Sequence, residues 1–303
     1  MTRYPIPGAS AVFCCALLCL SCAPALAATL KVVVPPTDPT AKAHADFFPK
    51  LLDLALRRTV PAYGPFTITA YQWPVSTERS AEELRAGRAI NVIWTATSPA
   101  RERALLPVRI SLLRELNNYR IFLIRKDDQS RFDQVRSADD LRKLHAGLGA
   151  HWADSAIMRS NGFAVTTALH YKALFPMLAL GRFDYFPRGL YEVWDEEQSH
   201  RGEGFSIEKK LMLYYPAPFY FFVNKKEHAL AERIETGLKM AQEDGSFERL
   251  LLSFPGFKRG LEEQRKHHRK LFVLNAEQTL PDARPAPGGG AGSAAGRAGD
   301  NRR

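Results

Sequence analysis

The first regular pattern in the chain is Leu30-Lys31-Val32-Val33-Val34, a short β-branched run stopped by Pro35-Pro36, which predicts a strand. Phe47, Phe48, Leu51, Leu52 and Ala55 then recur at helical spacing, with Lys50, Asp53, Arg57 and Arg58 mostly off that face, and predict an amphipathic helix. Phe66 to Tyr71 predicts a second strand. Ser76 to Arg85 begins with cap-type residues and carries Glu78, Glu82 and Glu83 early, where carboxylates suit the positive end of a helix dipole. Ile90 to Trp94 predicts a third strand. The alternation then restarts. Tyr119 to Ile124 reads as a strand, Ser137 as the cap of a helix, Ala146 to Ala150 as a short strand, and Asp154 to Met158 as the start of another helix. Tyr171 to Leu180 reads as a helix ahead of Gly181, and Phe183 to Phe186 as a strand.

Strands alternating with helices predict parallel α/β sheets joined by crossovers, and two such units predict two lobes with a cleft between them, a preferred place for small ligands. The longest apolar run, Leu211 to Val223, is too short to span a bilayer and contains Pro216 and Pro218, so it predicts strand, turn, strand. Leu230, Ile234, Leu238 and Ala241 form one stripe, broken at Asp244-Gly245-Ser246 before Phe247, Leu250 and Leu251, which predicts two amphipathic helices. Lys258 to Lys270 is strongly basic and reads as a solvated helix face. Beyond Leu280 the chain is rich in Pro, Gly and Ala with no large apolar residue, so 276–303 is expected to be a disordered tail.

At 303 residues with 46% hydrophobic and 24% charged, the chain is long enough for two core-bearing lobes and is not disordered as a whole. Its 42 Lys+Arg against 32 Asp+Glu give a formal charge of +10, which suits meeting anions without implying nucleic acid as a partner. All four cysteines fall in the first 22 residues. There Arg3, an apolar stretch from Ala11 to Leu20, and Ala25-Leu26-Ala27 as a small-x-small site predict a signal peptide over 1–27, cleaved before Ala28. A lipid anchor at Cys22 would call for a bulky aliphatic residue where Cys19 stands. The remaining chain has no cysteine, so it tolerates an oxidising compartment without a disulfide and offers no thiol nucleophile. It has no Gly-x-Ser-x-Gly elbow and no HExxH. His267 and His268 are adjacent rather than four apart, and Gly147-Leu148-Gly149 lacks both the third glycine of a dinucleotide fingerprint and the lysine of a phosphate loop. No enzyme activity, metal or cofactor is expected.

Four strings in order carry a likeness: TATSPARERALLPVRISL (Thr95 to Leu112), SADDLRKLHAGLGAHWADS (Ser137 to Ser155), GRFDYF (Gly181 to Phe186) and AERIETGLKMAQEDGSFERLL (Ala231 to Leu251). Over about Leu30 to Phe254 the chain resembles the periplasmic solute-binding proteins that serve polar amino-acid ABC transporters. The resemblance implies a two-lobed type II α/β fold, each lobe a mostly parallel sheet flanked by helices, with 28–117 plus 218–275 as lobe one and 118–217 as lobe two. It also implies a monomer in the periplasm that closes by hinge motion on a small solute and delivers it to an inner-membrane permease, or presents it to a membrane receptor as a sensor. A third possibility is a cyclic-acid dehydratase on the same fold, with Glu192 or Asp184 as the acid among Tyr185, Phe186 and Tyr191.

In that family an Arg following Thr95-Ala96-Thr97 would pair with the ligand carboxylate; Arg101 and Arg103 both lie there, spacing does not choose, and Arg103 is preferred. The family's acid after the GxxD strand is missing. Asp184 matches the strand aspartate, but Pro187, Arg188 and Gly189 follow, so Arg188 is expected to face the cleft and the ligand to be anionic. The aromatic string usual at the first crossing is replaced by Pro107 to Ser111. Trp73, Trp94 and Trp152 sit at or just beyond predicted strand ends and complete the candidate site with Thr95 and Thr97.

Overall fold

The computed structural model describes residues 28–37 and 43–275. The expected signal peptide, its cysteines and the expected tail lie outside the described residues. Among the described residues twelve strands form in chain order: β1 (Leu30–Val34), β2 (Phe66–Ala70), β3 (Ile93–Ala96), β4 (Leu106–Val108), β5 (Tyr119–Arg125), β6 (Ala146–Gly149), β7 (Val165–Ala168), β8 (Tyr185–Gly189), β9 (Phe205–Ile207), β10 (Leu211–Tyr214), β11 (Phe219–Val223) and β12 (Lys270–Val273).

In the first lobe β1 pairs parallel with β2, while β11 runs antiparallel between β3 and β4. The strand expected from Ile90 begins later, at Ile93. Asn91 explains the delay. Its side chain takes the Val33 N–H and donates to the Lys31 carbonyl at 3.0 Å while its own N–H donates to the Val33 carbonyl at 3.0 Å, so the side chain takes up β1 groups that a regular ladder would use. The apolar stripe of Phe47–Arg58 is buried as expected and meets helix His228–Glu243, where Gly237 lies directly on the Ala55 backbone.

The second lobe is one mixed seven-stranded sheet in the order β12-β10-β5-β8-β6-β7, with β9 also on β5. β6 is parallel to β7 and β8, and β10 to β12, whereas β5 is antiparallel to β8, β9 and β10. Ser137 caps helix Ala138–Arg142 in a full capping box with Asp140. Apolar clusters cover both faces of this sheet, one around Phe122, Phe132 and Tyr185 and the other around Phe175, Phe183 and Phe186. Among the described residues no helix is long and apolar enough to cross a membrane.

Two chain segments cross between the lobes, and two asparagines stitch them together. Asn117 Nδ2 donates to the Ala217 carbonyl at 2.6 Å; Asn118 Oδ1 accepts from the Ala217 N–H at 2.9 Å, and its carbonyl accepts from the Tyr215 N–H at 3.0 Å. The C-terminal segment makes a further link. Helix Pro255–Lys266 buries Phe257 in the first lobe's core and sets Gly260 against the Leu190 carbonyl, after which β12 joins β10. The expected boundary left residues to 275 with lobe one; Lys270–Val273 instead pairs with Leu211–Tyr214. Arg269 holds this return, donating Nε to Glu263 at 2.6 Å and Nη1 to the Glu208 carbonyl. The basic stretch is therefore only partly a solvated face, and Arg259 lies 4.9 Å over the Trp194 ring.

A side chain at position 260 would collide with the Leu190 backbone, so Gly260→Ala should lower unfolding free energy by about 1–3 kcal/mol, the range for overpacking. Urea denaturation reads this, and an unchanged midpoint and slope would refute the close approach.

Candidate functional site

The ends of β1, β3, β6 and β8 open onto a cavity of about 350 Å³ between the lobes. The first lobe contributes Pro35, Pro36 and Thr37 after β1, Ile93 to Ala96 of β3, Glu78 and Arg101. The second contributes Asn117, Arg120, His151 to Asp154, Arg188, Tyr191 and Glu192. Ligand sites in open α/β sheets form at such strand ends.

Local rules position the first wall. Ser76 Oγ accepts the Arg79 N–H at 3.1 Å and starts helix Thr77–Arg85, placing Glu78 in its first turn at the cavity edge. Ser98 caps helix Pro99–Ala104 with proline at its start, and Arg101 turns inward to donate Nη1 to the Ala96 carbonyl. No carboxylate pairs with Arg101 among the described residues, and burial lowers its affinity for its proton below the usual arginine value. Thr95, on the same strand as Ala96, is buried and lines the cavity. Phe48 stacks on Trp94 at 5.7 Å and on Phe219 at 5.2 Å, forming an aromatic wall.

In the second wall the charges are already matched. Arg120 reaches Asp154 with Nε at 2.9 Å and Nη2 at 2.7 Å, donates Nη1 to the Asn117 carbonyl, and lies 4.9 Å over the Tyr215 ring. Tyr215 donates its hydroxyl to Asp154 at 2.7 Å. Burial opposes both charges, but each holds the other: the Arg120 proton is bound more tightly than usual, and Arg120 with Tyr215 keeps the Asp154 carboxyl below its ordinary range. Arg188 donates Nε and Nη2 to the two oxygens of Glu196 at 2.6 Å and contacts Glu192 at 2.8 Å, among the rings of Trp152, Tyr171 and Phe186. The Trp152 ring packs on Gly149, where any side chain would strike it.

Of the residues expected from the sequence, Trp94, Thr95, Arg101, Trp152 and Arg188 meet at the cavity. Four do not line it. Arg103 is exposed, because residues two apart on a helix point to nearly opposite sides, so the preference for it gives way to Arg101. Trp73 is 66% exposed. Thr97 is buried and donates to Glu102 at 2.6 Å. Asp184 accepts from Arg131 at 2.9 Å and from the His145 N–H at 2.8 Å, bracing the turn before β6. Sequence reasoning missed Glu78, Arg120 and Asp154 as lining residues. Arg120 did leave a signal, a lone charge inside the apolar run Tyr119-Arg120-Ile121-Phe122-Leu123-Ile124.

No protein-family profile and no curated protein sequence matches the chain. Solved structures do. An ancestral arginine-binding protein bound to arginine aligns at 16% identity and TM-score 0.54, over 76% of this chain and 99% of that one. A probable amino-acid ABC transporter extracellular-binding protein from Bacillus subtilis gives 18% and 0.55 over 75% and 97%. A histidine kinase sensor domain with similarity to periplasmic binding proteins gives 14% and 0.55 over 76% and 96%. The chain has the fold of the periplasmic binding proteins. The cavity lies between the two lobes of this fold.

Asp154→Asn leaves Arg120 buried without a counter-charge and should cost about 3 kcal/mol at pH 7, the scale for a broken buried pair. Because the folded carboxyl titrates below the unfolded value of about 3.9, the pair's contribution is complete above that value and fades as pH falls through it toward the folded one. Denaturation of both proteins between pH 7 and pH 3 should show the gap narrowing in acid; a gap that stays constant would contradict the assignment.

Proposed function

We propose that the protein is a periplasmic binding protein that captures a small amino-acid-like solute between its lobes for delivery to an ABC-type permease. The observation that carries this reading is the residue of charge in the cleft after internal pairing. Arg120 is matched by Asp154, and Arg188 by Glu192 and Glu196, whereas Arg101 and Glu78 have no ion-pair partner among the described residues. An unpaired guanidinium beside an unpaired carboxylate suits a ligand carrying a carboxylate next to an ammonium. Arg188, the basis for expecting an anion, is occupied by two acids, which favours the zwitterion over a purely anionic ligand. The structural neighbours, which include a binding protein holding an amino acid and an ABC transporter component, fit the same reading. Export through the N-terminal segment is part of the proposal and rests on its sequence pattern.

The sensor domain among the neighbours keeps a membrane receptor as an alternative recipient, with the same binding step. A dehydratase is less well supported. Asp184 lies off the cavity, and Glu192 uses one oxygen on the Gly189 N–H at 3.0 Å and the other on Arg188.

A panel of amino acids tested against the purified chain from residue 28 should contain at least one that raises its melting temperature, as a ligand of the native state does. Arg101→Ala should weaken binding of that compound at least tenfold, on the scale of about 1.5–3 kcal/mol for a hydrogen bond to a charged group, with Arg103→Ala close to wild type. Equal binding by wild type and Arg101→Ala would overturn the reading.

A further inference from the structure

The second wall of the cleft has no charge to spare. Arg120 is held by Asp154 and Arg188 by Glu192, and these acids also accept the Tyr215 hydroxyl and the Gly189 N–H. With His151 counted as neutral, Arg101 and Glu78 are the lining charges left without an ion pair among the described residues. They suffice for the carboxylate and the α-ammonium of an amino acid, and neither sign remains for a charged side chain. What stands beside Arg101 is apolar instead. Its Nη1 donates to the Ala96 carbonyl, and in the ladder Phe219 lies opposite Ala96 while Trp94 sits two residues earlier, on the same side of β3. Phe48 stacks on both rings, 14° from the Trp94 plane and 24° from the Phe219 plane. Phe48 is buried, whereas Trp94 and Phe219 are half-buried, and all three line the cavity.

Resting on the amino-acid reading above, we infer that the cleft selects a neutral α-amino acid with a large apolar side chain, packed on the surface that Trp94 and Phe219 present. The head of such a ligand meets Arg101 with its carboxylate and Glu78 with its α-ammonium. Its side chain covers the open parts of the two rings, so apolar surface of protein and ligand leaves water together. A lysine or glutamate side chain brings a charge into the same space. There it either stays without a counter-charge or breaks one of the two pairs of the second wall, and both outcomes are penalised. Alanine offers the same head and leaves the rings uncovered.

Calorimetric titration with phenylalanine, leucine, alanine, lysine and glutamate as probes tests this. Phenylalanine and leucine should each bind at least tenfold tighter than the other three. Trp94→Ala should weaken phenylalanine at least tenfold and alanine less than threefold, whereas Arg101→Ala should weaken all that bind. The wild-type ranking is read without any variant, so it tests the inference even if Trp94→Ala does not fold. Alanine, lysine or glutamate binding as tightly as phenylalanine and leucine would overturn the inference and leave the amino-acid reading in place. So would a folded Trp94→Ala protein that binds phenylalanine as wild type does. Binding of other amino acids without phenylalanine or leucine would also overturn the inference alone, and binding of no amino acid at all would overturn the reading beneath it as well.

Discussion

A guanidinium taken out of water needs a carboxylate, and that requirement shapes the junction between the lobes. Arg120 and Arg188 are both buried at the start and end of adjacent strands, since β5 and β8 pair antiparallel with Arg120 opposite Gly189 and Ile121 opposite Arg188. Desolvation of each charge costs several kcal/mol unless it is matched and its remaining N–H groups are bonded. The fold meets this by bringing Asp154 from the start of one helix, and Glu192 and Glu196 from the start of another, to the same end of the sheet. Tyr215 and Asn117, on the two crossing segments, complete the bonding around Arg120. The polar network that satisfies the buried charge is thus also what fastens the crossings.

The same pairing decides what the cleft offers a ligand. Most of its charge is already committed, and among the described lining residues Arg101 and Glu78 remain without an ion pair to meet something from outside. Packing supplies the rest of the shape. Phe48 belongs to the buried face of Phe47–Arg58, so the helix that forms the first core also presents an aromatic ring to the cavity. The C-terminal segment adds a constraint of its own, because it is packed on Leu190 and Tyr191 just before Glu192 and then enters the second sheet.

Periodicity made most of this fold legible. The helix at Phe47, the capped helix at Ser137, the strands either side of Pro216 and the break at Gly245 all lie where local pattern places them, because each is signalled by residues close in sequence. What escaped depends on distant partners. The apolar run extends the expected strand back to Phe183, but the Phe183 ring lies over Gly147 and the ladder itself begins at Tyr185. The strand at Lys270 follows a basic helix and is made a strand by β10. Choosing Arg101 over Arg103 required the phase of one short helix, which the Ser98 cap sets. Arg188 was found at the cleft, but its two acids lie four and eight residues on, across a helix start that the sequence pattern did not mark.

The most direct test is the structure of the protein crystallised with the amino acid that stabilises it most. The account predicts the ligand between the lobes with its carboxylate hydrogen-bonded to Arg101 and its α-ammonium within reach of Glu78. A carboxylate bound instead by Arg103 or Arg188, or a ligand outside the cleft, would contradict it.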